Sequence, residues 1–307
     1  MTAENIKRKE LPFVSVVVPV LNERELIGRT ISSLLDQSYP KEKYEIIIVD
    51  NGSNDGTKQI IQKYPVKFLK ERKKSAFSAR NKGARAVKGE YIVFMDADCF
   101  AGSEWLENLV DVVIQEGASI VAGKIENYIV RDNFANKLLA KRCAPEVRKE
   151  NVQRYNSVAS GNMIISRRIF EETGFFEICG FASDNELSRK VFDSGGKISY
   201  TERAVVKHQC DLSNREYLVR SFLTRYGQEK LRKRPEEARH ILRLLLSFPW
   251  RPGFNRAKCL AGEFGIDNPA IFALFFMYIW IERIFSYFGS IAGAVSGMTS
   301  CPEKSTQ

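Results

Sequence analysis

An apolar run that ends in two acidic residues is the feature of this sequence with the most evident chemistry. Asp96 and Asp98 follow Ile92–Met95, and four consecutive apolar residues are typical of a buried strand. Carboxylates at positions i and i+2 leave a strand on the same side, where both can bind one hard cation. Mg²⁺ or Mn²⁺ held in this way commonly completes its coordination with waters and substrate phosphates. The spacing therefore indicates a divalent metal site for a phosphorylated ligand. The same pair in a polar loop would not indicate a metal site, because it recurs there by chance.

A further carboxylate, Asp50, ends the apolar run Tyr44–Val49 and precedes the turn sequence Asn51–Thr57. One interpretation is structural, an Asx-capped turn between a strand and a helix. The other is functional, because Asp50 can accept a hydrogen bond from a nucleotide base while Gly52 and Gly56 let the ligand approach the backbone closely. These residues alone leave both interpretations open.

Two other segments supply groups of the same kind. The first runs from Pro19 to Glu23 and ends the apolar run Phe13–Val20. The second, SARNKGARAVKGE, offers Arg80 and Lys82 to a phosphate, although Arg80 taken alone is equally consistent with surface charge. We therefore treat both segments as candidates for binding a nucleotide.

Apolar runs alternate with helical segments over the first hundred residues, as in β-α-β units around a mostly parallel sheet. We predict strands at 13–20, 44–50, 66–70 and 90–98, and helices at about 24–35, from 57 onward and at about 75–87. Open sheets of this type bind ligands beyond the carboxyl ends of their strands, so Asp50 and Asp96 should face one crevice. The predicted fold class is α/β, with a mixed, mostly parallel sheet flanked by helices.

The rest of the chain is predicted to continue the sheet and then to become helical. Strand-like segments at 119–130 and 157–167 enclose a polar connection, and a helix at 184–192 precedes a closing strand at 197–208. The predicted organisation is an N-terminal tail (1–12), an α/β domain (13–212), a basic helical region (213–265), an apolar membrane-associating segment (266–300) and a tail (301–307).

The C-terminal third differs from the rest in charge and hydropathy. Residues 203–258 contain 14 Lys and Arg against 5 Asp and Glu, within a chain of net charge +10. Residues 269–298 are almost wholly apolar, with only Glu282 and Arg283 charged. Each charge at the centre of a membrane span costs ~2.5–3.5 kcal/mol, so two half-depth helices or one interfacial segment are favoured over a single span. A buried core helix or a dimer interface is the alternative.

The position of the basic residues and the cysteine pattern together suggest a location. Basic residues immediately before an apolar segment favour an anionic membrane surface as the partner, and not nucleic acid. The six cysteines lack a C-x-x-C pair, which fits a reducing compartment, and the sequence MTAENIKRKE lacks the apolar stretch of a secretory leader. We expect the protein at the cytoplasmic face of a membrane, either peripheral or anchored through its C-terminal region.

Three motifs together resemble those of the family 2 glycosyltransferases. They are VSVVVPVLNE, VDNGSNDGT and ARNKGARAVKGEYIVFMDADC, and the resemblance covers roughly residues 13–210. It implies a GT-A fold and a nucleotide-diphospho-sugar donor of the UDP or GDP type. It also implies that Pro19, Glu23 and Asp50 line the nucleotide base, and that Asp96 and Asp98 hold Mn²⁺ or Mg²⁺ on the diphosphate.

The resemblance also suggests a catalytic base. The family places a glutamate–aspartate pair after a G-F-x-E segment, and here GFFEICGFASDNELSRKV puts Asp184 at the aspartate position. Ser183 stands where glutamate is usual, and Glu186 is the nearest substitute. An inverting transfer needs one carboxylate to take the proton of the acceptor hydroxyl, together with positive charge for the leaving diphosphate.

Four other positions follow from the same resemblance. His208 ends the last strand, where related enzymes often place a histidine near the metal, although a lone histidine is more often structural. Arg225, within an R-Y-G segment, is expected beside the diphosphate. Gly161 and Asn162 belong to a strand that precedes the acceptor site, and both are expected to shape that site.

The function implied by this resemblance is an inverting transfer of a sugar to a hydroxyl of a lipid-linked or membrane-proximal glycan. Two alternatives remain open on the sequence alone. A polyprenyl-phosphate sugar synthase would transfer to an ionised lipid phosphate and would need no base. A non-catalytic nucleotide-sugar-binding subunit would not need the acidic residues.

Overall fold

The computed structural model describes residues 11–178, 183–230 and 254–299. The predicted tail 301–307, most of the tail 1–12, residues 179–182 and residues 231–253 of the basic region lie outside these ranges. The described residues fall into two compact units. The first holds residues up to 128, then 142–178 and 184–209, and the second holds 129–141 together with the residues from 210 onward.

One eight-stranded sheet, in the order β3-β2-β1-β4-β7-β6-β8-β5, organises the described part of the first unit. Its strands are β1 (Val14–Val20), β2 (Tyr44–Asp50), β3 (Lys67–Lys70), β4 (Tyr91–Met95), β5 (Cys99–Ala101), β6 (Ile120–Ile129), β7 (Asn162–Ser166) and β8 (Ile198–Cys210). The half formed by β3, β2, β1 and β4 is parallel. Antiparallel pairings join β4 to β7, β7 to β6 and β8 to β5. The mixed, mostly parallel sheet predicted from the sequence is therefore confirmed.

Helices alternate with these strands along the chain. They are α1 (Ile27–Leu35), α2 (Thr57–Ile61), α3 (Ala76–Ala84), α4 (Trp105–Glu116), α5 (Phe134–Arg142), α6 (Pro145–Tyr155), α7 (Arg167–Glu172) and α8 (Ser183–Asp193), with a 3₁₀ turn at Lys41–Lys43. All but α5 lie mainly in the first unit. Side chains of β1 alternate between two cores, with Val16 and Val18 in one and Val17 in the other. The polar connection predicted after β6 is helical, because α5 and α6 occupy it.

The second unit also contains α9 (Asn214–Lys230), α10 (Phe254–Glu263) and α11 (Pro269–Thr299). The α9 and α11 helices run in the same direction. The Tyr278 hydroxyl donates to the Asn214 carbonyl at 3.2 Å, and the Tyr226 and Ser296 hydroxyls are 3.0 Å apart. At Gly289 a Cβ would lie 2.3 Å from the carbonyl oxygen of Phe222, so the two backbones touch there. A glycine is required at this crossing.

The apolar segment forms one continuous helix of 31 residues, so the pair of half-depth helices considered from the sequence is not formed. Residues Pro269–Ala292 are long and apolar enough to cross a membrane, and 17% of the most apolar stretch is buried. One face of α11 is buried at Phe275, Ile279 and Glu282. Large apolar side chains are exposed beside this face: Ile271, Leu274, Met277, Phe285 and Phe288.

Candidate active site

The loops that follow β1 and β2 are joined by hydrogen bonds between backbone amides and side chains. The Asn22 amide donates to Ser53 Oγ at 2.9 Å, and the Asn54 amide donates to Asn22 Oδ1 at 3.0 Å. The Glu23 amide donates to Thr57 Oγ1 at 2.9 Å. Because β1 and β2 are adjacent parallel strands, these bonds hold both loops at one sheet edge.

The three residues predicted to line a nucleotide base lie at this edge. Pro19 is buried in β1 opposite Val49. Asp50 is also buried, and its Oδ1 accepts a hydrogen bond from the Ser53 amide at 3.1 Å. The structural interpretation of Asp50 as the cap of a turn is therefore correct, and the same contact fixes the direction of its carboxylate. Glu23 is partly buried on the adjoining loop.

Negative charge accumulates around Glu23. Burial is the main cause that raises the pKa of Glu23 to about 7, and the carboxylates of Asp98, Asp55 and Asp96 raise it further. The positive charge of His208 acts in the opposite direction. These charges place Glu23 in the same electrostatic environment as the D-x-D pair. The edge therefore favours a cation or a donor of hydrogen bonds.

Asp96 lies between a buried arginine and a glycine. Its Oδ1 forms an ion pair with Nη2 of Arg80, a residue of α3 that is only 6% exposed and lies over the Phe77 ring. Arg80 Nε is buried and has no hydrogen-bond partner in the described part of the chain. On the other side, a Cβ at Gly161 would come within 2.6 Å of Asp96 Oδ2. The surface-charge interpretation of Arg80 is therefore wrong, because this side chain is buried in the site.

Asp98 contacts His208 across paired strands. Cys99 of β5 is in register with His208 of β8, and His208 Nε2 lies 3.3 Å from Asp98 Oδ2. Asn127 holds the other side of the ring, with its Oδ1 at 2.9 Å from His208 Nδ1. A carboxylate and an imidazole suit a divalent transition metal such as Mn²⁺. The Asn127 contact is of the type that orients metal-binding histidines.

The described ranges contain no group of three or more His, Cys, Asp or Glu side chains close enough to hold a metal ion. Asp98 and His208 are together, whereas Asp96 is engaged by Arg80. This arrangement still fits a metal that keeps few protein ligands, because Mn²⁺ and Mg²⁺ sites on nucleotides take several ligands from phosphate and water. The proposed ligand set of Asp96, Asp98 and His208 thus stays a prediction.

Asp184 is the second residue of α8, and its carboxylate is held by two backbone amides. The Ser160 amide donates to its Oδ2 at 3.2 Å, and the Asn185 amide donates to its Oδ1 at 3.0 Å. Burial raises the pKa of Asp184, while the Ser160 amide and the positive charge of Arg80 oppose that rise. Arg80 therefore acts on both Asp96 and Asp184, which brings the predicted base and the D-x-D motif into one site.

Two neighbours of Asp184 in α8 bear on its role, namely Ser183, which stands where glutamate is usual, and Glu186. Ser183 is fully buried at the first position of α8. Glu186 is buried as well, and its two oxygens accept hydrogen bonds from Arg189 Nη2 at 2.7 Å and Nε at 3.1 Å. A carboxylate engaged in this way is not available as a base, so Asp184 remains the single candidate of this segment.

Arg225 belongs to α9 in the second unit. Its side chain is exposed, and Nη1 donates to Gln228 Oε1 at 3.3 Å. Its contact with a diphosphate remains a prediction.

Sequence reasoning missed Asn127 and Ser160. Neither residue stands in a recognisable motif, since Asn127 lies within β6 and Ser160 acts through its backbone amide. Asn162 was expected to shape the acceptor site, but its side chain is structural. It accepts from Trp105 Nε1 at 2.8 Å and donates to the carbonyls of Lys124 and Ala204.

Comparison with known proteins identifies the family of this chain. Residues 15–174, just over half of the chain, match the family described as glycosyl transferase family 2. This chain therefore belongs to the family 2 glycosyltransferases.

Among curated relatives, glycosyltransferase AglE of Haloferax volcanii is 31% identical over 208 residues, which is 63% of this chain and 62% of AglE. The poly(ribitol-phosphate) beta-N-acetylglucosaminyltransferase TarP of Staphylococcus aureus is 38% identical over 117 residues, 36% of each chain. The match thus spans less than two thirds of these relatives.

A solved structure supports the fold. The mannosyltransferase PcManGT from Pyrobaculum calidifontis, in complex with GDP-Man and Mn²⁺, is similar with a TM-score of 0.62 and 21% identity. The similarity covers 95% of this chain and 88% of that one. The GT-A-type fold expected from the sequence is therefore confirmed.

Proposed function

We propose that this protein transfers a sugar, with inversion, from a nucleotide-diphospho-sugar of the UDP or GDP type to a hydroxyl of a glycan acceptor. The observation that carries the proposal is the placement of Asp184 within the electrostatic reach of Arg80, which is itself paired with Asp96. A base for the acceptor and the acidic motif for the donor thus share one cation. Family membership and the complex of PcManGT with GDP-Man support the same donor class.

The donor half of the reaction is assigned to the edge formed by β1, β2 and β4. Pro19, Glu23 and Asp50 line the base, and Arg80 faces the diphosphate. Bonds between the two loops keep Glu23 and Asp50 oriented before the donor arrives. Preorganisation of this kind lowers the ordering cost of binding.

Asp98 and His208, with the free oxygen of Asp96, would hold Mn²⁺ or Mg²⁺ on the diphosphate. When bound, such an ion supplies positive charge for the departing nucleoside diphosphate. Asn127 keeps the His208 ring in place for this role.

Asp184 then acts on the acceptor. Its carboxylate takes the proton of the acceptor hydroxyl while that oxygen forms a bond to the anomeric carbon. The bond from this carbon to the diphosphate breaks, and the nucleoside diphosphate leaves with the bonding electrons. The amides of Ser160 and Asn185 hold the carboxylate in one orientation. Its elevated pKa makes it a better proton acceptor than an ordinary aspartate.

The acceptor is proposed to be lipid-linked or membrane-proximal, with the protein at the cytoplasmic face of a membrane. The exposed apolar side chains of α11 support this proposal, because exposed apolar patches mark interaction surfaces. In a flotation assay with anionic vesicles, the triple variant Leu274→Ser, Met277→Ser, Phe288→Ser should lose vesicle binding. An unchanged bound fraction would overturn the membrane assignment.

The donor assignment is tested by nucleotide release. Purified protein is given Mn²⁺ and a panel of UDP-, GDP- and dTDP-sugars, with Asp98→Ala as the inactive variant. Exposed Asp193→Ala of α8 serves as the matched control. Release from one donor that persists in the control and disappears in Asp98→Ala supports the proposal. A protein that binds a donor in calorimetry but releases nothing, even with acceptor extract, would be a non-catalytic subunit.

A further inference from the structure

A polar cavity lies beside Asp184 within the first unit. It has a volume of about 140 Å³ and lies between β6, α6 and the loop at 157–159. Its polar lining comes from Arg148, Asn151, Ser157, Asn162, Asn185 and Tyr200. Arg148 carries the single formal charge among the lining residues, while the carboxylates of Glu202 and Glu146 lie outside the lining and act on Tyr200 from there.

Tyr200 is one of the residues that line this cavity. Its hydroxyl oxygen is buried, and no described residue forms a hydrogen bond with it. Burial is the largest cause that raises the pKa of Tyr200 to about 12, followed by the charge of Glu202, so the hydroxyl stays protonated at neutral pH. A buried hydroxyl with no partner costs ~1–3 kcal/mol. Such a group indicates a bound ligand that accepts its hydrogen bond.

Arg148 is fixed but not neutralised. Its Nε donates to the Cys143 carbonyl at 3.0 Å, which holds the guanidinium against the cavity, and no carboxylate of the described residues forms an ion pair with it. Arginine recognises phosphate and carboxylate groups through paired N–H donors. The ligand should therefore be an anion.

Two residues that line the cavity are adjacent in sequence to Asp184 or to the residue whose amide binds it. Asn185 lines it and directly follows Asp184, while Ala159 lines it and precedes Ser160, whose amide binds Asp184. An engineered cavity of about 150 Å³ holds one benzene. A volume of about 140 Å³ is therefore large enough for one phosphate group.

We propose that this cavity binds a phosphate group of the acceptor, through Arg148 and the Tyr200 hydroxyl, while a hydroxyl of the same acceptor faces Asp184. The inference rests on the proposed transferase function and extends it, because it makes the acceptor a phosphorylated molecule. The phosphate stays intact and acts as a handle, and the sugar is transferred to the hydroxyl.

The test measures binding of inorganic phosphate by calorimetry. We expect Arg148→Gln to weaken binding at least tenfold and Tyr200→Phe about three- to tenfold, as the loss of charged and neutral hydrogen bonds would predict. Lys149→Gln removes the same charge one residue along α6, where Lys149 pairs with Glu202. Tyr155→Phe removes a hydroxyl from a tyrosine that is 68% exposed. Both controls should bind like the unaltered protein.

Equal phosphate affinity in all five proteins, or no phosphate binding at all, would overturn the proposal. Tyr200→Phe deletes one unpartnered atom, so it should fold normally, and an unchanged melting temperature verifies this. Phosphate bound near Arg80 would be unaffected by the cavity variants and would also count against the proposal. The outcome is independent of turnover, whereas failure of the transferase proposal would show as absent donor binding and release.

Two sources of the phosphate are separated by two further probes. Glucose 6-phosphate represents a soluble phosphorylated glycan, and phosphatidic acid in phosphatidylcholine vesicles represents a lipid phosphate. The probe whose binding depends on both Arg148 and Tyr200 identifies the source. If neither probe shows that dependence, the acceptor assignment is wrong.

Discussion

The parallel and antiparallel halves of the sheet contribute to the site in different ways. In the parallel half, β1, β2 and β4 end side by side, and their loops are joined by short bonds such as Glu23 to Thr57. In the antiparallel half, the functional groups are Asn127 near the end of β6, His208 near the end of β8 and Asp184 in the first turn of α8. In the parallel half, the sheet topology alone therefore brings the functional groups together. In the antiparallel half, individual side-chain contacts bring them together.

This difference suggests a division of the functional roles between the two halves of the sheet. The parallel half would bind the donor, and the antiparallel half would present the base and the acceptor. Four predictions test that division, from the largest expected effect to the smallest.

The first prediction separates the halves. Asp184→Asn keeps an acceptor for the Ser160 amide but cannot take a proton, so transfer should fall ~10²–10⁴-fold while donor affinity stays unchanged. Rates and calorimetric donor affinity are measured beside Asp193→Asn on the same helix. If Asp184→Asn turns over normally with donor bound, no base is needed, and transfer to an ionised lipid phosphate becomes the better proposal.

The next prediction concerns a residue at which the division should fail. Asn127 lies in the antiparallel half, yet it orients the His208 ring that contacts Asp98. Asn127→Ala should raise the Mn²⁺ concentration needed for half-maximal activity ~10–100-fold. Asn108→Ala, which removes a contact to the Arg203 carbonyl, is the control. An unchanged Mn²⁺ requirement would mean that the ring needs no such support.

The third prediction compares two glycines at which a side chain would collide with different neighbours. A Cβ at Gly83 would lie 2.3 Å from Val17 Cγ1 in the core, so Gly83→Ala should lower the free energy of unfolding by ~1–3 kcal/mol. At Gly161 the neighbour is the carboxylate of Asp96, which can move. Gly161→Ala should therefore lower activity about tenfold with little change in stability. Urea unfolding and steady-state rates are measured on both variants. The prediction is wrong if Gly161→Ala loses stability while Gly83→Ala keeps it.

The fourth prediction concerns pH. The folded-state pKa of Glu23, about 7, lies above its ordinary value of 4.5, so its neutral form is favoured in the folded protein. The stability that this confers is complete below pH 4.5 and is lost as the pH rises through 7. At pH 8, Glu23→Gln should therefore have a free energy of unfolding about 1 kcal/mol higher than that of the unaltered protein, measured with urea. At about pH 4 the two proteins should be equally stable. If the difference in the free energy of unfolding between the two proteins is the same at both pH values, the ionisation of Glu23 is not its cause.

The sequence predicted the parallel half well because its signals are local. Asp50 and Asp96 follow apolar strands, and the parallel direction of β1 and its neighbours β2 and β4 follows from the alternation of strands and helices. The antiparallel half was harder, since α5 and α6 have mixed polar sequences without a clear apolar period. Asn127 and the Ser160 amide acquire a role only from partners far along the chain, and no local pattern encodes such contacts.

The sequence separations of these contacts imply an order of assembly. Arg80 and Asp96 are 16 residues apart, and the loop bonds of Asn22 and Glu23 span 31 and 34. The His208–Asn127 contact spans 81. Distant contacts close later because more chain entropy must be lost first. On a ribosome the donor loops can thus be complete while β8 is still unmade, so the growing chain would recognise a nucleotide well before it could hold the metal.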